Sequence, residues 1–472
     1  MNRYEKLVKN SGIFFIANFG SKIVTFLMVR FYTEILSASE YGIIDLLFTT
    51  VNLVVPIITL SITESVLRFS IDDFENRKKS LTYGYTVAIF GNLLFSLSGF
   101  FLYKIDAFKG NLVLFFLLSF TNSVQMVTSQ FARGVGKSKL FAFSGFLHTV
   151  LQVGLNIIFL SVFSWGIKGY LLASIISNAF VIIVTFVVGE FRDYICSIID
   201  LGYLKQMIVY SCPLIPNSVF WWLTQSSSRY IIAIILSDTA NGLYAAANKI
   251  PTIISTISGI FFQAWQLSSV DEANSKDKNK FYTKVFNAFS MVLICGTSFC
   301  LVVLQPIYKI LVEKSYYESW RCAPFLFIAM VFSSYSSFIG TNYTTMKKTK
   351  GVFLTTAVGG GINIVLGIIF TSIFGIIGSA FASALSFMAI WLIRAFDTRK
   401  FACINYSFIK FIIPLVLLLV QSVLLTVGVS SIILQFVFFI IITILYLKEL
   451  YLFTKRIFLF IKQTINKKFA YK

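Results

Sequence analysis

The stretch from Phe411 to Leu447 reads FIIPLVLLLVQSVLLTVGVSSIILQFVFFIIITILYL and contains no charged residue over its 37 positions. A helix needs about 20 mainly apolar residues to cross the hydrocarbon core of a bilayer, so this stretch is long enough for two crossings. A transmembrane β-barrel would instead show segments of about ten residues in which polar and apolar side chains alternate. The stretch therefore predicts an all-α membrane protein.

The composition of the whole chain supports this prediction. Of 472 residues, 57% are hydrophobic and 13% are charged, with a mean hydropathy of +0.82. Soluble domains carry about 25% charged residues, so a water-soluble enzyme is excluded. Fourteen spans are predicted at 11–33, 43–66, 81–103, 111–131, 141–163, 168–189, 207–235, 244–268, 282–304, 321–343, 352–372, 376–396, 411–429 and 431–447.

The distribution of lysine and arginine predicts the orientation. With both termini in the cytoplasm, the inner segments carry 30 of the 40 basic residues and the outer loops carry six. Inner loops of membrane proteins are enriched in basic residues, which agrees with this arrangement. The net charge of +20 is thus explained by topology, and no nucleic-acid partner is expected.

Segments in the first part of the sequence resemble segments in the second part. At an offset of 200 residues, Ser37 falls on Ser237 and Gly42 on Gly242. At an offset of 207, residues 154–157 (GLNI) resemble residues 361–364 (GINI). These matches predict two six-helix bundles in parallel orientation, residues 1–200 and 201–400, followed by two more helices and a basic tail in 401–472. Chance similarity between apolar helices is the alternative.

When the basic residues at the ends of the spans are assigned to the inner and outer loops, four are left inside the predicted spans: Lys22, Arg30, Arg229 and Lys249. A charge at the centre of a membrane helix costs about 2.5 to 3.5 kcal/mol, so each needs water, a counter-ion or a ligand. Arg30 could pair with Glu34 one turn away, and Arg229 could reach the outer interface. Lys22 and Lys249 have no acid within a turn. We therefore predict that these cations line a hydrated cavity.

Polar side chains support such a cavity. Asp45, Thr49 and Asn52 lie at helical spacing in the second span, Asn248 precedes Lys249, and Gln225 lies near Trp222 in the seventh span. Amides and indole rings suit sugars, which offer hydroxyl groups and apolar ring faces, although polar packing between helices is the alternative. The candidate substrate-binding residues are Lys22, Arg30, Arg229, Lys249, Asn52, Trp222, Gln225 and Asn248.

The charge balance of this cavity predicts its cargo. Four cations face only Asp45 and Glu64, so an anionic cargo is expected. Asp45 and Glu64 are candidates for coupling to protons or sodium ions. Either could instead balance a cavity cation, and Glu64 could pair with Arg68 one turn away.

No catalytic residue, metal or cofactor is predicted. His148 is the only histidine, which excludes a site with several histidine ligands. The segment from Gly134 to Ser138 (GVGKS) looks like the end of a phosphate-binding loop. However, Phe131 stands where that loop requires its first glycine, and the segment joins two membrane helices.

Several segments together resemble the Wzx-type polysaccharide flippases of the multidrug/oligosaccharidyl-lipid/polysaccharide exporter superfamily. The resemblance covers the whole chain and depends on the order and spacing of loose motifs. They are Lys22, Leu36-Ser37 with Glu40-Tyr41-Gly42 and Asp45, Glu64 with Arg68-Phe69, the turn from Arg133 to Lys137, Pro213 to Asn217, Trp221-Trp222 and Arg229-Tyr230. Ser228 departs from the family, which often has an acid before this arginine.

The resemblance implies a function. Such proteins move undecaprenyl-pyrophosphate-linked oligosaccharide units from the cytoplasmic to the periplasmic leaflet of the bacterial inner membrane. We expect alternating access, with Arg68 and Arg133 at the cytoplasmic entrance and bends at the prolines 56, 213, 216 and 251. Expected partners are the polyprenyl-pyrophosphate-linked oligosaccharide and membrane lipids, with a polysaccharide polymerase and a chain-length regulator as further candidates. A peptidoglycan-precursor flippase and a cation-coupled multidrug exporter are the alternatives.

Overall fold

The computed structural model describes residues 24, 26–72, 74–196, 200–272, 275–346, 348–429 and 431–451. These residues form helices and contain no strand. The longer helices of the first half are α1 (26–35), α2 (Ala38–Ile58), α3 (Ile62–Asp72), α4 (Arg77–Ser96), α5 (Leu112–Gly134), α6 (Ser138–Ile157) and α7 (Gly166–Val188).

The second half begins with α8 (Leu201–Ser211), α9 (Ile215–Ile235), α10 (Asp238–Lys249), α11 (Thr252–Asp271), α12 (Lys278–Val302) and α13 (Leu304–Leu311). It continues with α14 (Ala323–Thr345), α15 (Thr349–Asp397), α16 (Ile413–Thr426) and α17 (Ile432–Leu445).

Every predicted span from the second to the fourteenth is helical in this structure. Within the described ranges, eight helices are long and apolar enough to cross a membrane. The eleventh and twelfth spans form α15, which bends at Gly375, where the backbone has a φ of 61°. The prediction of an all-α membrane protein is confirmed, while the count of fourteen crossings and the cytoplasmic termini remain predictions.

The helices break at the prolines. A proline has no N–H group to donate to the carbonyl group four residues earlier, so it weakens a helix interior. Pro56 lies two residues before the end of α2, and Pro251 separates α10 from α11. Pro213 and Pro216 lie at the junction of α8 and α9. The second, seventh and eighth spans are thus each divided, as predicted.

A buried asparagine contact occurs in each of the matched segments 154–157 and 361–364. The side-chain amide of Asn156 in α6 donates to the hydroxyl of Tyr32 in α1 over 2.9 Å. The amide of Asn363, its counterpart in α15, donates to the hydroxyl of Ser227 in α9 over 2.9 Å. Each asparagine thus joins its helix to the helix that the predicted repeat aligns, although the contacted residues, Tyr32 and Ser227, are not aligned at the 200-residue offset.

One helix packs across the predicted boundary at residue 200. The Ser65 hydroxyl of α3 donates to the carbonyl oxygen of Met207 in α8 over 2.6 Å, and Lys79 lies 2.8 Å from Asp200 just before α8. Met207 belongs to a buried cluster otherwise built mainly from the first half. The start of the seventh span is therefore attached to the first half, and α9 begins the contact with the second.

Candidate functional site

A cavity of about 410 Å³ lies between the two halves. Its first-half wall comes mainly from α2, with Tyr170 of α7, and its second-half wall comes from α9, α10, α11, α14 and α15. The polar side chains in its lining are Tyr41, Asp45, Thr49, Asn52, Tyr170, Gln225, Ser226, Arg229, Tyr244, Asn248, Lys249, Thr252, Ser255, Ser333 and Ser383.

An ion pair joins the two halves in this cavity. Nε of Arg229 in α9 lies 2.6 Å from Oδ2 of Asp45 in α2. Nη1 of Arg229 also donates to the carbonyl oxygen of Gln225 one turn earlier, over 3.3 Å. Arg229 therefore has a carboxylate partner in Asp45, although the residue before it, Ser228, is not an acid.

Lys249 is the second cation in the cavity lining. Among the described residues, no carboxylate lies within ion-pair distance of its ammonium group, which lies 5.9 Å from the centre of the Tyr41 ring. Lys249 is the last residue of α10, where the helix dipole and the free carbonyl groups stabilise a cation. Counting Arg229, Asp45 and Lys249, the described lining carries a net charge of +1.

Three predicted amides reach the same cavity. Asn52 and Gln225 are exposed there, whereas Asn248 is buried. The side-chain oxygen of Asn248 has no hydrogen-bond partner among the residues that the structure describes. The cavity therefore offers hydrogen-bonding groups beside its cations, an arrangement that suits a polar anion.

Two other predicted residues are not brought to the cavity lining. Arg30 pairs with Glu34 over 2.5 Å and donates to the carbonyl oxygen of Val312 over 2.7 Å. The indole N–H of Trp222 donates to the carbonyl oxygen of Thr49 over 2.8 Å. Arg30 thus has the local partner that the sequence offered, and the polar atom of Trp222 is used to join α9 to α2.

The predicted entrance residues lie on neighbouring helices. Arg68 on α3 and Arg133 near the end of α5 are both exposed, and the two helices pack together where Gly134 contacts Ser70. Glu64 is exposed one turn before Arg68 and does not line the cavity. Lys22 lies outside the described residues.

The cavity is closed at the end that the charge distribution predicts to be outside. There Ser37 and Ser237 cap the first turns of α2 and α10, and these helices cross at Gly42 and Gly242. The Asn241 amide donates to the carbonyl oxygen of Gly42 over 2.9 Å. Beyond the proline breaks, α3 packs on α4, α5 and α8, while α11 packs on α14 and α12. The crossing of α2 and α10 thus joins the halves at the end that is predicted to be outside.

Sequence reasoning missed two features. Tyr41, Tyr170 and Tyr244 add aromatic rings to the cavity. Of these three residues, only Tyr41 belongs to a motif that was identified in the sequence. Arg394, which the sequence places near an inner loop, is only 1% exposed. Its guanidinium donates to hydroxyl groups of α15 and to the carbonyl oxygen of Ser336 in α14 over 2.9 Å.

The fold is similar to those of several solved membrane transporters. It is similar to the lipid II flippase MurJ in an inward closed conformation, with a TM-score of 0.72 and 14% identity over 93% of this chain and 99% of that one. It is also similar to an inward-facing multidrug resistance transporter of the MATE family. The TM-score is 0.67 and the sequence identity is 11%, over 80% of this chain and 94% of that one. For a transporter from Pyrococcus furiosus that is described as a member of the MOP superfamily, the TM-score is 0.62. The sequence identity is 13%, over 85% of this chain and 96% of that one.

Residues 7–266 match the family described as polysaccharide biosynthesis protein, so the chain belongs to this family. This confirms the resemblance seen in the sequence. No curated protein matches the chain. The apolar helices and the fold together indicate a multi-pass membrane protein.

Proposed function

We propose that the protein moves undecaprenyl-pyrophosphate-linked oligosaccharide units from the cytoplasmic to the periplasmic leaflet of the bacterial inner membrane. The observation that carries this proposal is the cavity between the halves, where Arg229 and Lys249 outweigh Asp45. A net positive cavity favours an anionic cargo and disfavours the cationic cargo of many drug exporters. Membership of a polysaccharide biosynthesis family favours a sugar-bearing cargo.

The cavity chemistry suits the head of such a lipid. Lys249 supplies a cation without a carboxylate partner in the described part of the chain, and the amides of Asn52, Gln225 and Asn248 supply donors and acceptors for hydroxyl groups. Tyr41 and Tyr170 supply ring faces on which sugars stack. The polyprenyl tail would stay in the lipid, because an apolar chain is stable there and the cavity lining is polar and charged.

In the proposed cycle, this structure would correspond to the state in which α2 and α10 close the predicted outer side. The cargo head would enter from the inner side, past Arg68 and Arg133. The halves would then separate at the crossing of α2 and α10 and close at the inner side. Such rocking of one bundle against the other is the usual form of alternating access in transporters with internal repeats.

A peptidoglycan-precursor flippase is the second candidate, because the fold is similar to the lipid II flippase MurJ. Both cargoes would use the same cations, so a direct comparison is needed. The purified full chain is reconstituted into liposomes with either lipid-linked oligosaccharide or lipid II, and a membrane-impermeant reagent reports the fraction of head groups in the outer leaflet.

The proposal expects flipping of the oligosaccharide lipid and little flipping of lipid II. The opposite preference would support the second candidate. Uptake of a cationic dye without flipping of either lipid would support an exporter and overturn both proposals. Protein-free liposomes, and liposomes that contain the Lys249→Gln variant, serve as controls.

A further inference from the structure

The ion pair between Asp45 and Arg229 lies within the cavity that the proposed cargo would occupy. Both side chains line this cavity, where the Asp45 side chain is 17% exposed and the Arg229 side chain is 15% exposed. The pair is therefore accessible to a ligand in the cavity. Among the described residues of the cavity lining, this ion pair connects the first half to the second.

The contact between the two groups is not the strongest that they could form. An arginine and a carboxylate form their best pair through two parallel hydrogen bonds. Here Nε of Arg229 contacts one oxygen of Asp45, and Nη1 makes a long bond of 3.3 Å to the carbonyl oxygen of Gln225. No bond from Nη2 is found within the described residues. The guanidinium thus has donors left for a second anion.

The charges also do not yet match the proposed cargo. With Asp45 on Arg229, the described lining offers one unpaired cation, Lys249. A pyrophosphate that links a lipid to a sugar carries two negative charges. If Asp45 left Arg229, two cations would face those two charges.

We propose that Asp45 is an internal substitute for the cargo anion, which holds the Arg229 guanidinium while the cavity is empty and gives way to a phosphate group when cargo binds. This inference rests on the proposed function and adds a specific exchange at one residue. Loading would then remove the ion pair between the halves. Hydrogen bonds between the halves would remain, among them Trp222 to Thr49, Asn241 to Gly42, and the Arg30 guanidinium to the carbonyl oxygen of Val312. Cargo binding would thereby weaken the outer closure.

The experiment measures binding of inorganic pyrophosphate to the purified full chain in lipid nanodiscs. If Asp45 competes with the anion, Asp45→Asn binds pyrophosphate more tightly than the wild-type chain, by roughly 5- to 150-fold for a typical coupling between sites. The gain disappears in the double variant Asp45→Asn, Arg229→Gln. Asp45→Ser, a second neutral replacement, shows the same gain if Asp45→Asn folds poorly.

Two variants control for charge. Glu34→Gln removes a carboxylate from the Arg30 pair outside the cavity and leaves the affinity unchanged. Asp45→Glu keeps the anion and gives no gain. If pyrophosphate binds to the wild-type chain through Lys249 and Asp45→Asn binds it equally or more weakly, the exchange is wrong while the proposed function stands. If no variant binds pyrophosphate, both are overturned.

Discussion

Gly42 and Gly242 face each other where α2 and α10 cross, at the same position of the two repeats. A β-carbon on Gly42 would lie 2.0 Å from the carbonyl oxygen of Asp238, and one on Gly242 would lie 1.8 Å from that of Ala38. Each helix therefore occupies the space where the other would carry a side chain. Membrane helices often approach closely through such small residues. The crossing of α2 and α10 thus depends on two glycines that the predicted repeat aligns with each other.

Gly42→Val should open the outer end. Distances near 2 Å to backbone atoms cannot be relieved by a side-chain movement, so α2 and α10 must separate. The measurement places a single cysteine in the cavity, Ser255→Cys in a background without the six native cysteines, and labels it from the outer side with a membrane-impermeant maleimide. Labelling should be fast with Gly42→Val and slow without it.

Gly259→Ala is the matched control for this test. It lies in α11, and an added β-carbon there meets no atom within 4 Å. This change should leave labelling unchanged. Equal labelling of the Gly42 and Gly259 variants would show that the glycine crossing does not close the cavity.

How much of this site the sequence could predict depends on the distance between partners along the chain. Arg30 and Glu34 are four residues apart on one helix, so their ion pair could be predicted from the sequence as the alternative to a place for Arg30 in the cavity. Arg229 and Asp45 are 184 positions apart and meet only because the halves pack together. The repeat placed Gly42 opposite Gly242 in an alignment, but it could not show that the two touch.

Lys249→Gln should reduce flipping of the proposed cargo by about 10- to 100-fold. A hydrogen bond to a charged group contributes about 1.5 to 3 kcal/mol, and 1.4 kcal/mol corresponds to a factor of ten. Lys249→Arg keeps the charge and should retain most activity. Initial flipping rates in proteoliposomes at equal protein content measure the effect. Lys109→Gln removes one charge from an outer loop as a control, and a loss as large as that of Lys249→Gln would point to net charge as the cause.

Trp222→Phe should lower stability more than transport. The replacement keeps an aromatic ring but removes the indole N–H that donates to the Thr49 carbonyl oxygen between the halves. The loss of such a bond costs about 1 kcal/mol, so the thermal midpoint should fall. Thermal unfolding of the purified variant tests this, with flipping rate as the second measurement. A large loss of transport at unchanged stability would instead favour the direct contact with sugar that the sequence suggested.

The attachment of α8 to the first half should weaken in acid. The Lys79 ammonium and the backbone N–H of Tyr203 both donate to Asp200, which lowers the pKa of its carboxyl group. A folded-state pKa below the unfolded value means that the stabilisation is present above the unfolded pKa, about 3.9 for aspartate, and is lost as the pH falls through the folded value. Asp200→Asn keeps a residue that caps helices well and removes only the charge. It should therefore flatten the acid side of the stability profile, measured as thermal midpoint against pH. An unchanged profile would mean that the ion pair contributes nothing to the attachment of α8.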